Sequence, residues 1–377
     1  MSSPPFRSWV EVSRKQISEN LHAVRSVVGS GIEVMPVVKA DAYRHGAVEV
    51  SRVLEGEGCR WLAVSNVEEG VCLRAANLQS RILVMADFLP GGRDALVDHQ
   101  LTPVIHSLED LGELNRLARK RQTLIRYHLK VDTGMGRLGT RAAAGAIANA
   151  IRDCENVSLE GLMTHFASVA DFNSSQTDEQ TRCFLRLCAR LRDAGIAPPL
   201  LHMSSTGAIA YGRKEAWGNL VRPGHAIYGY TSPARGPAPP NSLRVEPALT
   251  WKASVLTVKD LEAGALIGYG GMFRASKPTR IAVLGVGYAD GLPHRLSNKG
   301  RVIAGGKVLP ILGAVSMDLT TIDVTECPEI KPGDSVTLLG RCGSAKIDAQ
   351  EIARIAGTIS YSVLCGISSR VKRVYTA

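Results

Sequence analysis

The stretch Ile125-Arg-Tyr-His-Leu-Lys-Val131, continued by Asp132-Thr-Gly-Met-Gly-Arg137, shows the pattern from which the fold is predicted. Residues 125–131 form a short run with the β-branched and aromatic residues typical of strands. The run ends where charged residues and glycines begin. Seven further runs of this kind occur between residues 34 and 221: Val34–Val38, Trp61–Val64, Ile82–Met85, Thr102–Ile105, Val157–Thr164, Leu200–Met203 and Leu220–Val221. Segments with helical spacing, such as Ser13–Val28, lie between them. This α/β alternation predicts an N-terminal (β/α)8 TIM-like barrel rather than an open sheet.

The chain changes character after residue 231. A stretch over residues 232–246 contains Ser232-Pro-Ala-Arg-Gly-Pro-Ala-Pro-Pro-Asn-Ser242, which cannot sustain a helix or a central strand because proline lacks an amide hydrogen. Beyond this linker, short strand-like runs separated by glycine and proline turns predict a C-terminal, mainly β domain over residues 247–377. The barrel is expected to span residues 13–231, and residues 1–12 are expected to form a strand that pairs with the C-terminal domain.

Composition and charge exclude several classes of protein. Apolar residues make up 45% of the chain, and no apolar run approaches the roughly 20 residues that span a bilayer. Residues 1–14 lack the apolar core of a signal peptide, so a cytoplasmic protein is expected. The eight cysteines show no Cys-x-x-Cys pair and no metal-ligand spacing, which favours free thiols and no metal. The net charge of +10 comes with no aromatic residue in its densest basic stretch, 116–126, so a solvated helix end is favoured over a nucleic-acid site.

Charged and polar residues follow several of the predicted strands, at the point where each strand ends. In a parallel barrel these carboxyl ends meet on one face, where active sites lie. Lys39 is the sharpest case, because it directly follows Met35-Pro-Val-Val38 and its amine is placed where little water competes. Desolvation favours the neutral amine, which can form a Schiff base with an aldehyde cofactor. For Lys39 taken alone, a lysine that merely snorkels from a strand end is an equal alternative.

Nine short motifs, in order along nearly the whole chain, resemble those of the alanine racemase family. They are Val38-Lys39-Ala-Asp-Ala-Tyr43, Lys130-Val-Asp-Thr-Gly-Met-Gly-Arg137, Thr164-His165-Phe166, Val221-Arg222-Pro-Gly224, Pro247-Ala-Leu-Thr-Trp251, Gly268-Tyr269-Gly270, Gly287-Tyr288-Ala-Asp-Gly291, Met317-Asp318 and Cys365-Gly366-Ile367. Each motif is short, but nine in the family's order across two domains are highly specific.

The resemblance implies a pyridoxal 5'-phosphate enzyme that removes the α-proton of an amino acid from one face and returns it to the other. Lys39 matches the lysine that holds the cofactor and serves as one base. Tyr269 matches the opposing tyrosine, which the partner subunit of a homodimer contributes, and His165 matches the histidine that contacts this tyrosine. Arg222 matches the arginine that faces the pyridine nitrogen and leaves it unprotonated, because a guanidinium does not give up its proton.

The other ligand contacts are carried over residue by residue. The resemblance implies cofactor contacts at Lys39, Tyr43, His202, Ser205, Thr206, Arg222, Gly224, His225 and Tyr361. It implies substrate contacts at Arg137, Met317, Tyr288 and Asp318, and a carbamylated side chain at Lys130. Ser205 and Thr206 stand where the family usually has asparagine and serine, and Ser316 and Phe273 where cysteine and tyrosine are common. The last two departures concern the substrate entrance, and hence the breadth of substrates.

The reaction implied is the interconversion of L- and D-alanine, supplying D-alanine for peptidoglycan synthesis. Racemisation of serine or a larger amino acid by the same machinery is the close alternative, and the space beside Tyr361 discriminates between the two. A decarboxylase shares the barrel-plus-β plan, but it carries a Cys-Asp pair where Cys365 here precedes Gly366. A non-catalytic cofactor carrier lacks the second domain, and Gly268-Tyr269-Gly270 argues against that class.

Overall fold

The computed structural model describes residues 6–377 and divides into two compact units. The first, the barrel unit, contains Gln16–Ala42 and Ala47–Glu246. The second, the β unit, contains the described part of Met1–Lys15, the tetrapeptide Tyr43–Gly46 and Pro247–Ala377. Residues 1–5 of the expected N-terminal strand lie outside the described residues. The linker of residues 232–246 groups with the barrel unit, whereas Tyr43–Gly46, expected in the barrel, groups with the β unit.

Eight parallel strands form the centre of the barrel unit. Numbered after strand β1 (Ser8–Ser13), they are β2 (Glu33–Val34), β3 (Trp61–Val64), β4 (Arg81–Val84), β5 (Thr102–Ile105), β6 (Ile125–Lys130), β7 (Val157–Met163), β8 (Leu200–His202) and β9 (Leu220–Val221). Strands β3 to β8 pair in chain order, and β2 pairs with β9. Bridges between Val37 and Ala63 and between Ser205 and Arg222 join these two groups and close the ring. The predicted barrel is confirmed.

Helical segments connect the barrel strands. They are α1 (Arg14–Val28), α2 (Lys39–Tyr43), α3 (Ala47–Gly56), α4 (Val67–Ala75), α5 (Arg93–Asp98), α6 (Leu108–Lys120), α7 (Ala144–Arg152), α8 (Gln176–Asp193) and α9 (Thr206–Ala210). Helix α1 buries Ile17, Leu21 and Val24 on one face, as their spacing predicts. The predicted first strand, Val34–Val38, is wrong in its extent. Strand β2 ends before Pro36, which has no amide hydrogen for a strand ladder.

The β unit is built on a nine-stranded sheet with the order β18-β17-β14-β15-β16-β13-β10-β1-β19. Its elements are β10 (Leu249–Leu261), β11 (Leu266–Ile267), β12 (Phe273–Arg274), β13 (Thr279–Leu284), β14 (Arg301–Ala304), β15 (Lys307–Leu312), β16 (Thr320–Asp323), β17 (Ser335–Cys342), β18 (Ala345–Ile347), α10 (Ala349–Ala356), α11 (Ser360–Gly366) and β19 (Lys372–Thr376). Strand β1 pairs antiparallel with β10 and parallel with β19. The mainly β character predicted for the C-terminal domain is confirmed.

Hydrogen bonds and close packing explain why Tyr43–Gly46 groups with the β unit. The Arg44 Nε–H donates to the carbonyl of Cys365 at 3.3 Å, and the Arg373 Nε–H donates to the carbonyl of Arg44 at 3.2 Å. Gly46 has a φ of +92°, and a Cβ at this position would lie 1.7 Å from the hydroxyl of Tyr375. Only glycine therefore fits at this position.

Three further features bear on the type of protein. Within residues 6–377, no helix has both the length and the hydropathy needed to cross a bilayer. All eight cysteines are free thiols. In the same part of the chain, no three histidine, cysteine, aspartate or glutamate side chains are grouped so that they could hold a metal ion.

Candidate active site

Lys39 follows the first barrel strand, and the chain after it turns in an unusual way. Residues 40–44 all have positive φ, between 52° and 67°. This left-handed conformation costs an L-residue roughly 1–2 kcal/mol, and strain of this kind accumulates at functional sites. The Ala40 amide donates to Glu69 Oε1 at 2.7 Å, and the Ala47 amide donates to Asp41 Oδ1 at 2.8 Å. Glu69, on helix α4, thus holds the backbone next to the lysine, and Asp41 ties the turn to the start of helix α3.

Positive charge is concentrated at the carboxyl ends of the barrel strands. Arg137, Arg222 and Lys39 are all close enough to Lys130 to act on its charge. Burial first, and then these cations, lower the pKa of Lys130 to about 8, although Asp132 opposes the shift. Like charges gathered in a partly buried site repel one another unless an anion joins them. We refer to the face at the carboxyl ends of the barrel strands as the barrel mouth. The barrel mouth is therefore suited to a ligand that carries carboxylate or phosphate groups.

Arg222 is the most deeply buried of these cations, with 3% of its surface exposed. Its Nη1 donates to His202 Nδ1 at 2.7 Å, and its Nη2 donates to the carbonyls of Thr164 and Met203 at 2.8 and 3.0 Å. Burial lowers the pKa of Arg222 to about 9, so the guanidinium keeps its charge at neutral pH. Neutral acceptors hold it in place, and no carboxylate is among these partners.

His165 lies beside Arg222, with its Nδ1 3.4 Å from an Arg222 nitrogen. Burial, followed by repulsion from Arg222 and Lys130, lowers the pKa of His165 to about 3. The imidazole is consequently neutral at physiological pH, and because a guanidinium only donates, Nδ1 accepts from Arg222 and the ring proton lies on Nε2. Such an N–H can donate to a phenol oxygen and favour the ionised form of that phenol.

The residues predicted to hold the phosphate lie between the ends of β8 and β9. The backbones of Ser205 and Arg222 form an isolated parallel β-bridge. The Thr206 hydroxyl accepts hydrogen bonds from the amides of Gly224 (3.3 Å) and Ala226 (3.2 Å). His225, which is buried, stacks on the ring of Tyr230. Barrel enzymes frequently bind phosphate at the loops after their last two strands. The fold thus brings these predicted residues together at a suitable place.

His106 is a residue that the sequence reasoning missed. It directly follows β5, and the pairing of Ile105 with Leu129 places it next to Lys130 on the neighbouring strand. Burial first, and then Lys130, lower its pKa to about 4, so this ring is neutral as well. The rule that revealed Lys39 applies equally to His106, because both residues are polar and directly follow an apolar run of the sequence.

Tyr269, in the β unit, is displayed on a turn between β11 and β12. Its side chain is 78% exposed within the single chain. Gly268 and Gly270 on either side have φ values of +76° and +67°, a conformation that glycine adopts without strain. A Cβ at Gly268 would also lie 3.1 Å from the amide nitrogen of Ala314. The turn therefore holds the phenol away from the body of its own unit.

Two of the predicted substrate contacts lie on neighbouring loops of the β unit. The amide of Tyr288 donates to the carbonyl of Ser316 at 3.0 Å, and the amide of Ala289 donates to the carbonyl of Met317 at 3.0 Å. Tyr288 and Met317 are both exposed. Asp318 differs from them, because its carboxylate accepts a hydrogen bond from Arg370 at 2.6 Å. The Asp318 carboxylate is thus engaged within the β unit.

Tyr43 and Tyr361 come together in the β unit, although they are far apart in sequence. Their ring centroids are 6.0 Å apart. Burial, followed by the proximity of Tyr361 and Cys365, raises the pKa of Tyr43 well above its usual value. The Tyr43 phenol therefore keeps its proton at neutral pH and can act as a hydrogen-bond donor, as its predicted role requires.

Two family models match consecutive parts of the chain. The alanine racemase N-terminal domain matches residues 12–232, and the alanine racemase C-terminal domain matches residues 248–375. The chain belongs to the alanine racemase family. The alanine racemase of Halothermothrix orenii is 40% identical over 369 residues, which cover 98% of this chain and 96% of that protein. The alanine racemase of Symbiobacterium thermophilum is 38% identical over 369 residues, covering 98% and 97%.

Solved structures of the family agree with this assignment. The alanine racemase of the D-cycloserine producer Streptomyces lavendulae has a TM-score of 0.91 at 30% identity, covering 99% of this chain and 98% of that one. The alanine racemase of Bartonella henselae, described with covalently bound pyridoxal phosphate, has a TM-score of 0.86 at 27% identity, covering 99% and 100%. The chain is accordingly an isomerase of the amino-acid racemase class, and its membership of the alanine racemase family supports racemisation of alanine.

Proposed function

We propose that the chain interconverts L- and D-alanine with pyridoxal 5'-phosphate, using Lys39 and Tyr269 of the partner subunit as its two bases. The observation that carries this proposal is the concentration of positive charge at the barrel mouth, where Lys39 lies beside Lys130, Arg137 and Arg222. An anionic cofactor and an amino-acid carboxylate together supply the charges that such a site lacks.

The residues present suit pyridoxal phosphate. A primary amine at Lys39 can condense with an aldehyde. The Thr206 hydroxyl and the loops after β8 and β9 lie where barrels commonly hold a phosphate. Arg222 is charged and can only donate, so it can offer a hydrogen bond to the pyridine nitrogen without protonating it. When bound, the cofactor withdraws electrons from the substrate α-carbon and thereby acidifies the α-hydrogen.

In this proposal the chain's own residues orient the substrate and move one proton. Arg137 holds the substrate carboxylate through its planar pair of donors. Lys39 removes or returns the α-proton on one face, and the phenol of Tyr269 does so on the other. The neutral imidazole of His165 donates its Nε2–H to the oxygen of that phenol and so favours loss of the phenol proton. Tyr288 lies at the entrance, and Tyr361 narrows the pocket so that alanine is preferred.

The exposure of Tyr269 supports a shared active site. Within its own chain the Tyr269 phenol is mostly exposed to water, so a second subunit can reach it. We therefore propose a homodimer in which each Tyr269 enters the site of the partner subunit. We also propose that the enzyme is cytoplasmic and supplies D-alanine for peptidoglycan.

The proposed function is tested with the purified protein, pyridoxal phosphate and three amino acids. We expect a visible absorption band on adding the cofactor and racemisation of alanine that is faster than that of serine or lysine. Circular dichroism of each enantiomer in turn measures the rates. A protein that stays colourless with added cofactor would contradict the whole proposal. A faster rate with lysine than with alanine would show that alanine is not the preferred substrate.

We also expect Lys130 to carry carbon dioxide as a carbamate, because its pKa of about 8 leaves roughly a tenth of the amine neutral at pH 7. Only the neutral amine reacts with carbon dioxide, and the resulting anion would hold Arg137. Carbon-13 NMR in labelled bicarbonate should show one carbamate signal that is lost in Lys130→Met. That variant should lose about tenfold in kcat/KM for alanine. A spectrum identical to that of Lys130→Met would rule the modification out.

A further inference from the structure

A row of polar side chains connects Arg222 to a carboxylate through the interior of the barrel. Arg222 Nη1 lies 2.7 Å from His202 Nδ1, and His202 Nε2 lies 2.9 Å from His128 Nδ1. His128 Nε2 lies 3.7 Å from Glu160 Oε2, which is too far for a hydrogen bond but close enough for electrostatic attraction. Both imidazoles are fully buried. We refer to Arg222, His202, His128 and Glu160 as the relay.

The chemistry of Arg222 determines where both imidazole protons lie. A guanidinium only donates, so His202 Nδ1 must accept and the His202 proton must be on Nε2. That N–H donates to His128 Nδ1, which leaves the His128 proton on Nε2, facing Glu160. Burial is the main reason that the pKa of each imidazole is lowered, and a ring with protons on both nitrogens would place two donors face to face. Both rings are consequently neutral, and the two hydrogen bonds, from Arg222 to His202 and from His202 to His128, run in one direction.

The local backbone is shaped to build the relay. Pairing between β6 and β7 shifts register at this point, because Tyr127 pairs with Leu159 but His128 pairs with Gly161. Glu160 is thus the additional residue of a β-bulge, a feature that often re-aims a side chain near an active site. A Cβ at Gly161 would lie 2.5 Å from His128 Nδ1, so glycine is needed where the ring passes.

Glu160 is held as an anion at its end of the relay. Burial by itself would raise its pKa, but the contacts with His128 and Arg81 lower the pKa to about 2. Arg81 donates to Glu160 Oε2 at 2.6 Å and lies over the ring of Trp61 at 4.0 Å. Trp61 in turn packs against His128, with 5.3 Å between ring centroids. An anion at this end favours the same direction of hydrogen bonds that Arg222 imposes at the other.

We propose that His128 and Glu160 are positioning residues for Arg222. Through His202 they fix the direction of the hydrogen bonds that hold the guanidinium. The inference deepens the proposed function, since Arg222 matters to racemisation through its contact with the cofactor. Its first test, however, needs neither cofactor nor substrate.

The first test is nitrogen-15 NMR of the whole protein with labelled histidine. The signals of His128 and His202 are identified by their loss in His128→Gln and His202→Gln. We expect both rings to be neutral with the proton on Nε2. A proton on Nδ1 of either ring, or on both nitrogens, overturns the relay even if the enzyme racemises alanine normally. Loss of racemase activity in the unaltered protein would instead count against the proposed function.

The second test compares Glu160→Gln with Glu33→Gln, a matched control. Each glutamate lies on a barrel strand, is mostly buried (side chains 13% and 17% exposed) and pairs with an arginine, but Glu33 has no contact with the relay. In Glu160→Gln the amide oxygen stays with Arg81, so its NH2 group faces the N–H of His128. We expect part of the His128 population to move its proton to Nδ1, and kcat to fall about tenfold with little change in KM.

The control should keep both the wild-type tautomers and the wild-type kcat. The positioning role is refuted if kcat of Glu160→Gln remains within about twofold of the control. If that variant does not fold, Gly161→Ala replaces it, because the added methyl group displaces the His128 ring while both charges of the relay remain. The same change of tautomer and the same loss of kcat are expected of it, and unchanged values overturn the proposal.

Discussion

Replacing Lys39 by alanine should abolish racemisation of both alanine enantiomers, with a loss of at least about 10⁴-fold in kcat. In our proposal this amine has two roles, as the covalent anchor of pyridoxal phosphate and as the base on one face of the substrate. The neighbouring Lys130 is not expected to take over, because in our proposal its nitrogen is carbamylated and holds Arg137. Circular dichroism of L- and D-alanine solutions measures the loss.

The same variant should no longer show the visible band of a cofactor joined to lysine. In the unaltered enzyme, borohydride reduction should attach the cofactor to the peptide that contains Lys39, and mass spectrometry of a digest identifies that peptide. Lys120→Ala, which removes a lysine at the end of α6, is the matched control and should retain activity and colour. Attachment to a peptide without Lys39 would contradict the assignment of this residue.

Replacing Tyr269 by phenylalanine should reduce racemisation about 10²- to 10⁴-fold, the usual contribution of one acid–base group. The ring remains, but it can no longer take or give a proton. The visible band should persist, because the anchor Lys39 is intact. Lys39 can still exchange the α-hydrogen on its own face, so one enantiomer should incorporate deuterium from the solvent while the other does not. Exchange of both enantiomers at the wild-type rate would disprove the two-base assignment.

Mixing the two inactive variants tests whether the site is shared between subunits. If the partner contributes Tyr269, a mixed dimer of Lys39→Ala and Tyr269→Phe chains has one intact site and one that lacks both groups. Random exchange of subunits should then restore about a quarter of wild-type activity, since half of the dimers are mixed. A mixture of Lys39→Ala with the double variant, which has no Lys39 at all, is the control and should stay inactive. No recovery in the first mixture would mean that each chain uses its own tyrosine.

Much of the fold and many site candidates could be predicted from local sequence. Strand-like runs followed by polar residues indicated the barrel, and Lys39 was recognisable because it directly follows an apolar strand. Apolar spacing reports which face of a segment is buried, so it reveals elements and their ends. His106 was equally accessible to this rule and was overlooked. The apolar run Val34–Val38 predicts a longer strand than β2, because an apolar composition does not reveal that Pro36 lacks the amide hydrogen needed for the ladder.

Other features depend on residues that are distant along the chain. Nothing in the order of residues 40–44 announces a left-handed turn, since the carboxylate of Glu69 that supports it lies on another helix. The grouping of Tyr43–Gly46 with the β unit rests on hydrogen bonds to residues more than 300 positions away.

The relay is the clearest case of a feature that local sequence does not predict and that depends on the tertiary structure. His128, Glu160 and His202 each read locally as a polar residue within or at the end of a strand, and only the pairing of β6, β7 and β8 places them in contact. Local sequence reports propensity and burial, and these were enough for the barrel, the β domain and the lysine at the barrel mouth. The direction of a hydrogen bond between buried side chains depends on which groups meet in space, so the positions of the imidazole protons and the partner of Glu160 follow from the folded barrel alone.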